Sequence, residues 1–127
     1  MIYGIGTDMV SVKRIETLYK KYGAAFAERI LHPAELDELA SAARPAHFLA
    51  KRFAAKEAFA KAVGTGIRGE VGLRRIGVGH NRLGKPEYIC EAPLQQWLRQ
   101  QGIACVHLSL SDEEGHVLAF ALAERAA

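Results

Sequence analysis

Cysteine is scarce, with Cys90 and Cys105 the only two in 127 residues. Two cysteines cannot build a disulfide framework, and neither stands in a recognised metal-ligand spacing. Each has apolar neighbours (Tyr88-Ile89-Cys90, Ala104-Cys105-Val106), so both read as small buried residues suited to a reducing cytoplasm. Long apolar runs are missing too. The longest, Val117 to Ala123, falls far short of a bilayer span. No basic segment with an apolar core and cleavage site follows Met1, so no secretory signal is expected and the location reads as cytoplasmic. Repeats and low-complexity linkers are absent. Charge of one sign is also lacking: 17 basic against 14 acidic residues leave +3, so only a local basic patch is informative.

Half of the residues are hydrophobic, which excludes whole-chain disorder. The length fits one domain over residues 1–127 with no second sizeable core. A chain this short buries only roughly two-thirds of its unfolded surface. A deep cleft is hard to carve from such a body, which favours a site shared between subunits.

Residues 2–9 read as a strand, with Gly4, Gly6 and Asp8 on one face and Tyr3, Ile5 and Met9 on the other. A helix is predicted from Ser11, its N-cap, to about Tyr22, ended by Gly23. A helical piece over 24–31 and a short helix from Pro33 follow. Residues 46–63 read as the longest helix and the glycine-rich 64–72 as a loop. Strands are expected at 73–80 and 86–92, a helix from Pro93 to about Gln101, and a hairpin of 104–111 with 116–124. The order is one strand, three or four helices, two strands, one helix, two strands. Helices and hairpins are segregated, so the class is α+β.

The long helix carries the chemistry. A surface helix has one apolar stripe, but here charges are interleaved with apolar groups all round. Glu57 and Lys61 fall beside Phe53, Ala50 and Ala54, whereas Arg52 and Lys56 fall beside Phe48, Phe59 and Val63. In one reading, long stems lie over apolar neighbours and Glu57–Lys61 is an ordinary i,i+4 pair. In the other, Lys51, Arg52, Lys56 and Lys61 face a polyanion, helped by Gly64-Thr65-Gly66, whose backbone can approach a phosphate. Asp8, at the end of an apolar strand, either caps the next helix or holds a metal with Glu57. Mg²⁺ takes one or two protein carboxylates and completes its octahedron with water and phosphate oxygens, which suits that pair.

These segments together resemble a known family. Gly6-Thr7-Asp8-Met9, Arg14-Ile15 and Phe26-Ala27-Glu28-Arg29-Ile30-Leu31 match its N-terminal part, and Arg52-Phe53-Ala54-Ala55-Lys56-Glu57-Ala58-Phe59-Ala60-Lys61 its signature helix. Gly64-Thr65-Gly66-Ile67, Gly84-Lys85-Pro86 and His107-Leu108-Ser109-Leu110-Ser111 follow in order. Over essentially its whole length the chain resembles the bacterial 4′-phosphopantetheinyl transferases that act as holo-[acyl-carrier-protein] synthases. The resemblance implies a small antiparallel sheet packed with helices, in the order β-α(3)-β(2)-α-β(2). It implies Mg²⁺-dependent transfer of 4′-phosphopantetheine from coenzyme A to a serine of apo acyl carrier protein, releasing adenosine 3′,5′-bisphosphate and supporting fatty acid synthesis.

Carried over position by position, the resemblance makes Asp8 and Glu57 the metal ligands and puts Lys61 on the leaving phosphate. The base is then Glu57 or a water on the ion, with Glu57 first a ligand. Arg52, Lys56, Lys61, Gly64, Thr65, Lys85, Pro86 and His107 become coenzyme A contacts. Three positions depart from the pattern. Met9 replaces a branched aliphatic, His32 stands where a hydroxyl residue often caps the third helix, and Asp112 stands where many relatives have a second histidine.

The first helix carries Lys13, Arg14, Lys20 and Lys21 away from its apolar stripe. Taken alone this is a solvated face, but the resemblance implies docking of the acidic carrier protein there. It also implies a homotrimer with interfacial sites, which the two apolar faces of the last hairpin suit. A nucleic-acid module is disfavoured because no zinc-finger, RRM or KH signature is present. A non-catalytic coenzyme A binder would not need both Asp8 and Glu57. No membrane partner is expected.

Overall fold

A computed structural model describes residues 1–127. Its elements are β1 (Ile2–Ser11), α1 (Val12–Tyr22), α2 (Ala24–Ile30), α3 (Pro33–Ala40), α4 (Pro45–Val63), β2 (Ile76–His80), β3 (Pro86–Cys90), α5 (Ala92–Gln100), β4 (Ile103–Glu113) and β5 (His116–Arg125). The fold is α+β, as expected. Four helices stand between the first two strands, the higher of the two expected numbers and one more than the resemblance implies, with Gly23 (φ 56°) dividing α1 from α2 as expected. The strand expected from residue 73 begins at Ile76, because Gly72 closes a turn by accepting from the Arg75 and Ile76 amides. No helix is long and apolar enough to cross a membrane.

The strands form two antiparallel sheets, β1-β5-β4 and β2-β3. Glu114 (φ 51°) and Gly115 (φ 77°) make the two-residue turn between β4 and β5, the positive-φ geometry that matches strand twist. On the inner face of the larger sheet lie Val117, Ala119, Ala121 and Ala123 of β5, all fully buried. Their β1 partners in register are Val10, Asp8, Gly6 and Gly4. This floor of small residues receives α4. A Cβ on Gly4 would stand 2.1 Å from the Ala62 carbonyl oxygen, and one on Gly6 2.2 Å from that of Ala58. Strand and helix backbones are therefore in direct contact.

The absent apolar stripe of α4 has its cause here. The helix is covered on almost every side, so alanines and large apolar residues are buried round most of its circumference. Leu49, Phe59 and Val63 are buried with Ile30, Leu31, Ile76 and Leu94 in one core.

The opposite face of the larger sheet is open. Ile5 and Met9 on β1 and Leu118 and Phe120 on β5 are exposed there, at 58%, 67%, 45% and 38%. Such a continuous apolar surface is more than a small monomer ordinarily shows to water.

Candidate active site

Asp8 leaves β1 on the side that faces α4, because Gly6 and Gly4 before it share that side. It does not cap α1. That role belongs to Ser11, whose hydroxyl accepts from the Arg14 amide at 3.3 Å. Asp8 Oδ1 instead receives the Lys61 ammonium at 3.2 Å, and Lys61 Nζ also donates to the Thr7 carbonyl oxygen at 2.9 Å.

Glu57 lies one turn before Lys61 on the same face of α4 and is half-buried. Its carboxyl is pushed above the ordinary glutamate value, first by burial and then by the Asp8 charge, with Lys61 pulling the other way. Two carboxylates that repel one another and share one half-exposed lysine make a site lacking positive charge. All the donor atoms are hard oxygens, the set a small hard cation prefers. The residues present thus fit Mg²⁺.

An open cleft of about 480 Å³ runs from Asp8 along α1. Arg14, Phe26, Phe53 and His116 also line it. The basic residue expected to meet a carrier protein therefore shares a cleft with the expected metal ligand. Lys13, Lys20 and Lys21 are exposed on the same helix, with Lys20 3.5 Å from Glu16.

The residues expected to contact coenzyme A divide into three places. Gly64 and Thr65 follow the end of α4, where Gly64 takes the left-handed φ of 88° and its amide closes the helix on Ala60 and Lys61. Lys85, Pro86 and His107 come together in a second cleft of about 380 Å³, over the β4–β5 surface beside Phe120 and Leu122.

The third pair requires a correction. Lys56 has no exposed surface and Arg52 only 2%, so neither faces a ligand. Both meet Glu35 of α3. Lys56 Nζ donates to Glu35 Oε1 at 2.5 Å and to the Ile30 carbonyl oxygen at 2.7 Å. Arg52 Nε lies 3.1 Å from Glu35 Oε2 as an ion pair, with its N–H off the hydrogen-bond axis, while Nη2 donates to Glu38 at 3.0 Å. The same Glu35 carboxylate also accepts from the His32 amide (2.9 Å) and the Val78 amide (3.2 Å). The cations of the signature helix's apolar side are thus a buried clamp between α4, α3 and β2.

Other differences follow from partners distant in sequence. His32 is a competent cap, with Nδ1 accepting from the Ala34 amide at 3.1 Å and Nε2 2.9 Å from Glu91. Asp112 pairs with His47 at 2.6 Å and Lys51 at 3.2 Å, and these two hold its carboxyl below the usual range. Lys51 therefore faces Asp112. Of the cysteines expected to be buried, Cys90 is half-buried and Cys105 is exposed. The sequence pattern missed Glu35. Its one signal is a glutamate three residues after His32, the spacing of a capping box.

Residues 4–121 match the 4′-phosphopantetheinyl transferase superfamily. The holo-[acyl-carrier-protein] synthase of Neisseria meningitidis serogroup A is 66% identical over 125 residues, spanning 98% of this chain and 100% of the relative. A crystal structure of a holo-[acyl-carrier-protein] synthase from N. meningitidis superposes with a TM-score of 0.96 at 64% identity, covering 98% of this chain and 100% of the other. The Bacillus anthracis synthase, solved in complex with coenzyme A (3′,5′-ADP), gives 0.81 at 36% identity and covers 100% and 99%. With its α+β architecture and its sequence in accord, the chain belongs to the holo-[acyl-carrier-protein] synthases, enzymes of the phosphopantetheinyl transferase family.

Proposed function

We propose that this enzyme uses Mg²⁺ held by Asp8 and Glu57 to move 4′-phosphopantetheine from coenzyme A to a serine hydroxyl of apo acyl carrier protein. Adenosine 3′,5′-bisphosphate leaves, and the product serves fatty acid synthesis in the cytoplasm. The observation that carries this reading is the convergence of Asp8, Glu57 and Lys61 beside the cleft that Arg14 lines. When bound, the ion neutralises pyrophosphate oxygens and makes the attacked phosphorus more electrophilic.

The protein supplies the rest. Lys61 is already drawn to Asp8 and the Thr7 carbonyl, so its ammonium stands beside the ligand pair and neutralises charge on the leaving phosphate. Glu57 serves first as a ligand, because a carboxylate engaged with a cation is a poor base. The turn at exposed Gly64 and half-buried Thr65 lies against the phosphates, and Lys85, Pro86 and His107 hold the nucleotide end.

In a single chain, the Lys85–His107 cleft has no lining residue in common with the Asp8 cleft. A homotrimer that covers Ile5, Met9, Leu118 and Phe120 brings clefts of neighbouring chains together and makes one site. The basic face of α1, Lys13, Arg14, Lys20 and Lys21, docks the acidic carrier protein.

The test is the mass of apo acyl carrier protein after incubation with enzyme, coenzyme A and Mg²⁺. It should rise by one phosphopantetheine, only with Mg²⁺ present, and not with Glu57→Gln. Arg14→Glu should raise KM for the carrier protein while leaving coenzyme A binding unchanged. Full transfer by Glu57→Gln, or transfer without a divalent ion, would overturn the assignment.

A further inference from the structure

In a single chain the cluster of Cys105, His107 and Glu124 lies away from the Asp8 cleft, at one end of the open sheet face, and shares His107 with the Lys85–Pro86 cleft. A β-bulge places the thiol there. Between Ile103 and Cys105 the β4 strand spans two residues while β5 spans one, from Arg125 to Glu124. Ile103 is buried, and regular alternation would bury Cys105 as well. The extra residue, Ala104, resets the alternation, so Cys105 and His107 both point outward, and Glu124 stands directly across from Cys105.

Cys105 Sγ lies 3.4 Å from His107 Nε2 and 3.7 Å from Glu124 Oε1, and His107 Nε2 is hydrogen-bonded to that same oxygen. All three ligand atoms fall within 4.8 Å of one another.

We propose that Cys105, His107 and Glu124 form a binding site for Zn²⁺, with ligands other than Asp8 and Glu57; on the proposed function the ion and the nucleotide end of coenzyme A compete for His107. A tetrahedral ion with bonds of about 2.3 Å to sulfur and about 2.0–2.1 Å to nitrogen and oxygen sets its sulfur-to-nitrogen and sulfur-to-oxygen edges near 3.5 Å. Two edges of the cluster already match. The third opens as the ion replaces the proton shared by His107 and Glu124. A thiolate and a carboxylate balance the two positive charges, and a neutral imidazole adds none. Cys105 and His107 are exposed, so water reaches the fourth position. A soft sulfur ligand also separates the two sites chemically, because Mg²⁺ takes oxygen ligands and Zn²⁺ takes thiolate and imidazole.

The test titrates metal-free full-length protein with Co²⁺, a spectroscopic stand-in for Zn²⁺, in excess Mg²⁺. One Co²⁺ per chain should bind and give the near-ultraviolet thiolate-to-cobalt band and the intense visible bands of a tetrahedral ion. Zn²⁺ should bleach both. Cys105→Ser should abolish the thiolate band, while Cys90→Ser should leave it intact. Outer-sphere partners of a metal are worth roughly 10- to 100-fold in affinity, so Glu124→Gln should weaken binding at least tenfold. A wild type without the thiolate band would overturn the site, as would a band that survives Cys105→Ser or vanishes with Cys90→Ser. Unchanged affinity in Glu124→Gln would remove the third ligand and with it the proposed geometry. None of these readouts depends on the transfer reaction.

Discussion

Glu35→Ala should be among the most damaging single substitutions in this protein, and a second mutation should partly repair it. The Glu35 carboxylate is 2% exposed and faces two buried cations, Lys56 and Arg52. Removing it strands the Lys56 ammonium with one carbonyl partner and no solvent. Breaking a buried pair in this way costs about 3–5 kcal/mol. With an unfolding entropy of about 2.1 cal/mol/K per residue, that lowers Tm by roughly 11–19 °C.

Thermal unfolding at fixed chain concentration measures the loss. Adding Lys56→Met to Glu35→Ala removes the stranded charge, so the double variant should be more stable than Glu35→Ala. Lys56→Met alone should lower Tm yet leave KM for coenzyme A unchanged. A ligand contact would show the opposite split. Burial lowers the Lys56 pKa below its ordinary 10.5, Glu35 offsets part of this, and Arg52 and Arg74 add to it. The folded chain therefore releases this proton at lower pH than the unfolded chain. Stability gains from Lys56 as pH rises from the folded value towards 10.5, and Lys56→Met should lose that gain. A double variant less stable than Glu35→Ala, or a Glu35→Ala Tm within about 3 °C of wild type, would refute the reasoning.

Gly6→Ala places a methyl against the Ala58 carbonyl and should cost about 3 kcal/mol or more, whereas Gly72→Ala meets nothing within 4 Å and should be nearly neutral by the same melt. Equal effects would sink the close-approach argument. Native protein should show the exposed Cys105 reacting with a disulfide reagent ahead of Cys90, although burial and the neighbouring Glu124 also hold the Cys105 thiol above its ordinary value. Cys90, its pKa pushed up to about 12 by burial, should react only on unfolding, and two equally fast thiols would contradict this. Phe120→Glu should shift sedimentation from trimer towards monomer, and a wild type that sediments as a monomer would refute the assembly.

The site was legible where its logic is local. Glu57 and Lys61 share a helix face by their spacing, and the Gly-x-Gly-x-Asp alternation on β1 turns Asp8 towards that helix. Arg52 and Lys56 could also be placed on the apolar side of α4. What hid their role was Glu35, which reaches them from another helix and supplies the opposite charge. Cys105 was misread for a different reason. Strict alternation says nothing of a bulge, and its partner Glu124 lies across a hairpin. Asp112 likewise found His47 and Lys51 only through tertiary packing. Local periodicity thus revealed which face each residue occupies, and long-range pairing decided what it meets there.

Gly4 and Gly6 carry no side-chain ligand, yet on the proposed Mg²⁺ assignment they would influence which ion the site prefers. With two main chains in contact, the gap between the Asp8 and Glu57 anchor points is a backbone dimension that side-chain rotation cannot widen far. Mg²⁺ needs oxygens at about 2.0–2.1 Å in a near-ideal octahedron, while Ca²⁺ settles for about 2.3–2.6 Å in looser shells. If Asp8 and Glu57 hold the ion as proposed, discrimination by ionic radius would reside in the fit of a strand on a helix. On that assignment, retuning the site to a larger cation would call for moving α4, not for exchanging a carboxylate.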